Sequence, residues 1–290
     1  MRINTRNWYA LFLLVILLLP CTTAAQHNKT LERDWRTDRQ KVNIISYNIM
    51  DGFNYGKDND RIARFTAWVK EQSPDVLALN ELCGFTEAKL KELAKGYGHP
   101  YVAIVKEEGY PVGITSKTPI KVIEKRVEGY GHGLLHCNIL NMDFLVTHLN
   151  PSDRTKRKQE ADNIVNYIKE HQLTHCLLMG DMNAHSPFDA PTMENDLEDY
   201  TVISTLMAAP LYDICYMFTN AEERYSYPTR ILVSSPKGDA LRKQQELLDY
   251  IFVSETLQPM CVDATLFNGT ENDYLSDHYP VGISMLIPNK

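Results

Sequence analysis

HCLLMGDMN, residues 175 to 183, runs from an apolar stretch straight into a polar corner. Cys176 to Met179 make a short uninterrupted apolar run, and Gly180, Asp181 and Asn183 are turn-forming residues. The segment reads as a buried strand that ends in a polar loop. The same shape recurs along the chain. KVNIISYN (41–48), rich in β-branched residues, ends at Asn48, and DVLALNE (75–81) ends at Glu81. DFLVTHLN carries His148, and ELLDYIFVS (246–254) holds Asp249 between apolar neighbours. In YLSDHYPVGI, Asp277 and His278 stand directly before another strand-like run. Each polar residue alone has an ordinary explanation as a turn former, a cap or a hydrogen-bonded strand end. Two histidines (His148, His278), four carboxylates (Glu81, Asp181, Asp249, Asp277) and two amides (Asn48, Asn183) at strand ends together describe a site built on rigid elements.

Between these strands the pattern alternates. DRIARFTAWVKEQSPD places Ile62, Phe65 and Val69 at helical spacing, with Trp68 beside them and Pro74 at the end. TEAKLKELAKG (86–96) is an amphipathic helix closed by Gly96 in the C-terminal capping position. HPYVAIV, PVGITS, IKVIEKRV, GLLHCNIL and DFLVTHL are short strands separated by turns, with residues 140–143 as a hairpin turn. Residues 152–172 form the longest expected helix, with Ser152 as N-cap and Ala161, Ile164, Val165 and Ile168 as its apolar face. Residues 184–245 are less regular. Units of strand and helix mixed with hairpins predict an α/β fold, with mixed or antiparallel sheets packed on each other and helices outside. No linker or repeat interrupts residues 38–290, so one domain is expected there.

The first residues read differently. Arg2 and Arg6 precede the uncharged apolar run 8–20, and small residues follow at 21–25. This is the pattern of a secretory leader cleaved after Ala25. A lipoprotein signal with Cys21 as the lipidated residue is the lesser alternative, since Pro20 is an odd neighbour for it. Either way the protein is expected to be exported. The chain is 44% hydrophobic and 23% charged, which is ordinary globular composition. Its net charge of −7 gives no general attraction for nucleic acid, although local patches remain open to it. Beyond Cys21 five cysteines remain, none at metal-binding spacing, and Cys137 and Cys176 read as small buried hydrophobes.

Oxygen ligands such as Glu81, Asp181 and Asp277 suit Mg²⁺, with Mn²⁺ or Ca²⁺ as alternatives, rather than zinc. Histidines move protons or steady a phosphate, and a carboxylate such as Asp249 fixes a histidine's tautomer. There is no G-x-S-x-G and no glycine-rich phosphate loop. Metal-assisted attack of water on phosphorus fits this inventory.

The order SYNIMDG, LNE, GYPVGITS, THL, GDMN, LDYIF and SDHYP resembles the endonuclease/exonuclease/phosphatase family, with the DNase I-like fold. The resemblance implies a four-layer α/β sandwich with its site at one edge of two packed sheets. It implies that Glu81 is the main metal ligand, with Asn48 and Asp277 nearby. Asp181 would orient or deprotonate the attacking water, and Asn183 would hold the phosphate or that water. His278, supported by Asp249, would contact the phosphate, and His148 would act on the phosphate or leaving group. Tyr110 matches a phosphate-contacting tyrosine. Asp51 would stand behind the site. The family often carries glutamine where this chain has Asn80. The expected activity is a phosphoester hydrolase, phosphodiester favoured. Its substrate is a nucleic acid, a phospholipid headgroup or a small phosphoester, and the chain is expected as a monomer without a protein partner. The alternative is a non-catalytic phosphate-binding module on the same fold. The arginines of RYSYPTR (224–230) are either phosphate contacts or solvated surface.

Overall fold

The computed structural model describes residues 38–189, 197–233 and 239–289; the expected leader at 1–25, with Cys21, lies outside them. Its compact unit is Lys41–Ile287. In chain order the strands are β1 (Arg39–Asn48), β2 (Val76–Asn80), β3 (Tyr101–Ile104), β4 (Gly113–Ser116), β5 (Lys121–Arg126) and β6 (Leu134–Ile139). They continue with β7 (Met142–His148), β8 (Cys176–Asp181), β9 (Leu211–Asp213), β10 (Asp249–Ser254), β11 (Cys261–Leu266) and β12 (Val281–Pro288). The principal helices are α1 (Asn59–Gln72), α2 (Glu87–Lys95), α3 (Arg154–Glu170), α4 (Leu197–Met207) and α5 (Ile214–Phe218). One six-stranded sheet has the order β11-β12-β1-β2-β4-β3, and the other has β5-β6-β7-β8-β10-β9. β1–β2 and β7–β8 are parallel, whereas β2–β4 and β8–β10 are antiparallel, so both sheets are mixed.

The strand period of two explains the layers. On the first sheet Val42, Ile44, Val76 and Ala78 share a core with Phe144, Val146, Leu177, Met179, Ile251 and Val253 of the second. The alternate residues Ile45, Tyr47, Leu77 and Leu79 pack under Phe65, Val69, Leu90 and Ala94 of α1 and α2. On the far side α3 buries Ala161, Ile164, Val165 and Ile168, as its apolar spacing predicts. This is the expected four-layer sandwich. The same alternation has a chemical consequence. Asn48 continues the face of Ile44, His148 that of Val146, Asp181 that of Met179, and Asp249 that of Ile251. The inner face that builds the core therefore ends in the polar residues.

Local details refine the sequence reading. The N-cap of α3 is Asp153, whose carboxylate accepts from Lys156 N–H, rather than Ser152. Asn150 Oδ1 accepts from both Ser152 N–H and Asp153 N–H, and this turn delays the helix by one residue. Gly96 does cap α2, but with a right-handed φ of −60°. A side chain there would meet Thr66 Cγ2 of α1 at 2.7 Å, so close helix packing, not a left-handed cap, requires glycine. Leu140 and Asn141 have φ of 54° and 63°, the positive pair of a tight hairpin turn. All five described cysteines are buried and free.

One buried strand-end group away from the shared polar edge carries a pH signature. Asp213 caps α5 by accepting from Tyr216 N–H at 3.0 Å, and burial pushes its carboxyl from 3.8 up to about 7. The folded state thus binds this proton more tightly than the unfolded chain, so its contribution to stability is lost as pH rises from about 4 through 7. Asp213→Asn, which keeps a capping oxygen, should melt higher than the parent at pH 8 and gain little at pH 4. Equal gains at both pH values would show that Asp213 is already ionised in the fold.

Candidate active site

The register of both sheets brings the polar strand ends to one edge. Asn48 pairs with Asn80 across β1 and β2, and Asp181 pairs with both His148 and Asp249 across β7, β8 and β10. Two amides stitch the sheets together there. Asn48 Nδ2 lies 3.1 Å from Glu81 Oε1 and 3.1 Å from Asp181 Oδ2. Asn80 Nδ2 donates to Thr147 O at 2.7 Å, which gives the departure from glutamine a structural role. Gly180 allows this approach: a Cβ there would sit 1.8 Å from Thr147 O, at a φ of 137°.

The loops around this edge are strained. Met50–Gly56 winds through one left-handed turn, with φ near 50–58° from Asp51 to Tyr55. For residues other than glycine each such step costs about 1–2 kcal/mol. Burial of Phe53 against Phe65 at 5.0 Å, beneath the Arg61 guanidinium, helps hold the turn. It also directs Asp51 N–H onto Glu81 Oε2 at 2.8 Å. Glu81 and Asn183 themselves have φ of 61° and 49°. Backbone strain of this kind concentrates at functional sites.

Asp181 is the hub. Its Oδ1 accepts from Asn183 N–H at 2.9 Å, and its Oδ2 faces His148 Nε2 at 3.5 Å and His278 Nε2 at 3.6 Å. His278 Nδ1 meets Asp249 Oδ2 at 2.7 Å. Burial opposes charge on His278, but attraction to Asp249 and then Asp181 outweighs it and raises its pKa. Burial also pushes Asp249 up, and the charge of His278 opposes this. Ser226 Oγ accepts from Asp249 N–H at 3.1 Å, and the Tyr227 ring packs 4.9 Å from His278.

The remaining predicted residues are all near but differently engaged. Asn183 Nδ2 donates to Leu149 O at 3.0 Å. Burial raises Asp277, and Glu81 adds to this. Tyr110 is 37% exposed and lies edge-on to His132 at 5.6 Å. The neighbouring Tyr55 hydroxyl and then Asp51 keep its phenol protonated well above its usual range.

The sequence reading missed several supporting groups. Arg61, only 6% exposed, donates to Leu275 O and Ile49 O, both at 2.8 Å, and clamps the two loops behind the site. Ser276 Oγ donates to Asn48 O at 2.6 Å. Glu160 accepts from Gly131 N–H at 2.7 Å and Asn150 N–H at 2.6 Å. Arg61 and Glu160 had a legible signal, a charge on the apolar face four residues before Phe65 and Ile164. His132, between two glycines, had none. Arg224 of RYSYPTR is neither free surface nor a site residue: it pairs with Asp189 at 2.8 Å and lies over Tyr216.

The donors fit a divalent cation. Among the described residues no lysine or arginine forms an ion pair with Glu81, Asp181, Asp249 or Asp277; His148 and His278 face Asp181, and His278 also meets Asp249. Asp181, Asp249 and His278 could each offer an atom within 4.8 Å. His278 Nδ1 and Asp249 Oδ2 are already spent on each other, so that trio is better described as a hydrogen-bonded relay. Glu81, which accepts from Asn48, and the like-charged Asp277 are the oxygen set left for an ion.

Two mixed sheets with acid, amide and imidazole groups at one shared edge define a DNase I-like fold. Residues 45–278 match the profile of the Endonuclease/Exonuclease/phosphatase family, and the chain belongs to that family of phosphoester-hydrolysing enzymes. Solved structures agree on the fold. An AP endonuclease from Archaeoglobus fulgidus superposes with a TM-score of 0.65 at 18% identity, covering 86% of this chain and 100% of that one. The 3′ phosphatase NExo from Neisseria, bound to a product DNA hairpin, gives 0.63 at 16% identity, with 84% and 99% covered. D. rerio TDP2 complexed with single-strand DNA product gives 0.60 at 18% identity, with 84% and 98% covered. No curated protein matches the chain by sequence.

Proposed function

We propose that this protein is an exported, divalent-metal-dependent phosphoesterase that hydrolyses a phosphodiester by attack of water. The observation that carries this is the bridge of Asn48 between Glu81 and Asp181, with no lysine or arginine among the described residues paired to either carboxylate. Glu81 and Asp277, with Asn48, would hold the ion, which when bound polarises the phosphoryl oxygens and neutralises developing charge. Asp181 Oδ2, flanked by two imidazoles, is placed to accept the proton of the attacking water. His278, held by Asp249, presents Nε2 as a donor to a phosphate oxygen. His148 Nε2, on the other side of Asp181, serves the leaving oxygen or the phosphate. Asn183 and Tyr110 orient the phosphate. Nucleic acid is the substrate class to test first, because two of the superposed enzymes carry DNA products. The net charge of −7 keeps small phosphoesters in the same comparison.

The test is a hydrolysis panel of DNA, RNA, a chromogenic phosphodiester, a phosphomonoester and a phospholipid, with Mg²⁺, Mn²⁺ or EDTA. Hydrolysis should vanish in EDTA and return with Mg²⁺ or Mn²⁺. The ion should also raise the melting temperature, and Glu81→Gln should remove that rise. Full activity after exhaustive chelation would refute metal dependence. Metal and ligand binding without turnover of any substrate would identify a binding module instead. Mass spectrometry of the mature N-terminus reads the export: a chain starting at Gln26 rules out a Cys21 anchor.

A further inference from the structure

The two site histidines are held in different ways. His278 has a carboxylate behind it, with Asp249 Oδ2 at 2.7 Å from Nδ1. His148 is equally buried, 3% exposed, yet its Nδ1 has no hydrogen-bond partner. No carboxylate clamps it. Its ring instead stacks on His132, centroids 4.4 Å apart and planes 27° from parallel. His132 Nε2 is also buried without a partner, so the contact between the rings is a packing contact and not a hydrogen bond.

The position of His132 is itself built. Gly131 N–H is pinned by Glu160 of α3 at 2.7 Å, and Gly133 O accepts from Thr147 Oγ1 at 3.2 Å. Thr147 immediately precedes His148 on β7, and Asn150, two residues beyond it, is held by the second oxygen of Glu160 at 2.6 Å. Glu160 therefore ties the loop that carries His132 to the loop that leaves His148. Tyr110 also packs against His132, edge-on with ring centroids 5.6 Å apart. Burial, reinforced by His148 and Lys106, lowers His132 to about 3, so a neutral ring lies against His148.

We propose that His132 is a positioning residue that replaces the missing carboxylate clamp, holding the His148 ring by stacking so that Nε2 stays on Asp181. The proposal rests on the phosphoesterase reading for its kinetic arm only. A flat ring should be sufficient at 132, and an imidazole should not be necessary. Displacement of a catalytic group by about 1 Å costs up to roughly 10²-fold in rate.

His132→Ala and His132→Phe are compared in the full-length protein, with melting curves as a fold control. His132→Leu takes the place of alanine if that variant fails to fold. With Mg²⁺ and the best substrate of the panel, His132→Ala should lower kcat by about 10- to 100-fold with KM little changed. His132→Phe should stay within about threefold of the parent. A readout independent of hydrolysis is the NMR signal of the His148 ring protons. Their ring-current shift should be lost in His132→Ala and kept in His132→Phe. A parent without activity on any substrate would defeat the functional reading while leaving the NMR arm to judge the stack. Parent-like kcat in a folded His132→Ala, or equal loss in folded alanine and phenylalanine variants, overturns the proposal. So does a ring-current shift that survives the alanine substitution.

Discussion

Asp181→Asn should lower metal-dependent hydrolysis by roughly 10²–10⁴-fold, the range associated with a positioned proton acceptor. Three nitrogens converge on Oδ2: Asn48 Nδ2 at 3.1 Å, His148 Nε2 at 3.5 Å and His278 Nε2 at 3.6 Å. An amide nitrogen in that place would confront the Asn48 donor with a second donor. If the amide turned over, Asn183 N–H would lose its acceptor at Oδ1. Neither orientation restores the negative charge that accepts a proton from water. The side chain is the same size, so the sheets should stay intact, and circular dichroism with a thermal melt checks this. The decisive measurement is kcat with saturating Mg²⁺. Activity within tenfold of the parent in a folded variant would remove Asp181 from the proton-accepting role.

Asp249→Asn should cost on the order of 10³-fold in kcat, for a different reason. Asp249 touches no substrate in this scheme. It is fully buried and holds His278 through one 2.7 Å contact. Asparagine preserves volume and one acceptor but removes the charge that keeps the proton on His278. Truncation to alanine would also leave a buried imidazole unpartnered, at about 1–3 kcal/mol of stability, so asparagine is the cleaner variant. Because the residue acts through its partner, Asp249→Asn combined with His278→Gln should be no worse than His278→Gln alone. Additive losses would mean that Asp249 acts independently, for instance as a metal ligand.

The strand ends were legible because a buried strand has little reason to finish on Glu81, His148 or Asp181 unless something polar waits there. The boundaries of α3 and the role of Gly96 were read less well. Asn150 reset the helix start through its own side chain, and Thr66 approached Gly96 from another helix. Arg61 and Glu160 were visible as charges on apolar faces, but which loops they held depended on chain segments more than 200 residues away in one case. His132 carried no local signal, because its role comes from a ring 16 residues later on a neighbouring strand.

Apolar, strand-length runs thus determined from the sequence alone that sheets pack on each other with helices outside, and that several of their strands end in polar residues. Those properties are local, set by a period of two and by the cost of burying polar groups. Tertiary structure decided how the ends are divided into roles. Asn48 joins two sheets, Asp249 backs His278, and no carboxylate backs His148. These assignments follow from register and sheet packing, which bring residues distant in sequence to within 3–4 Å, and no spacing along the chain encodes that meeting.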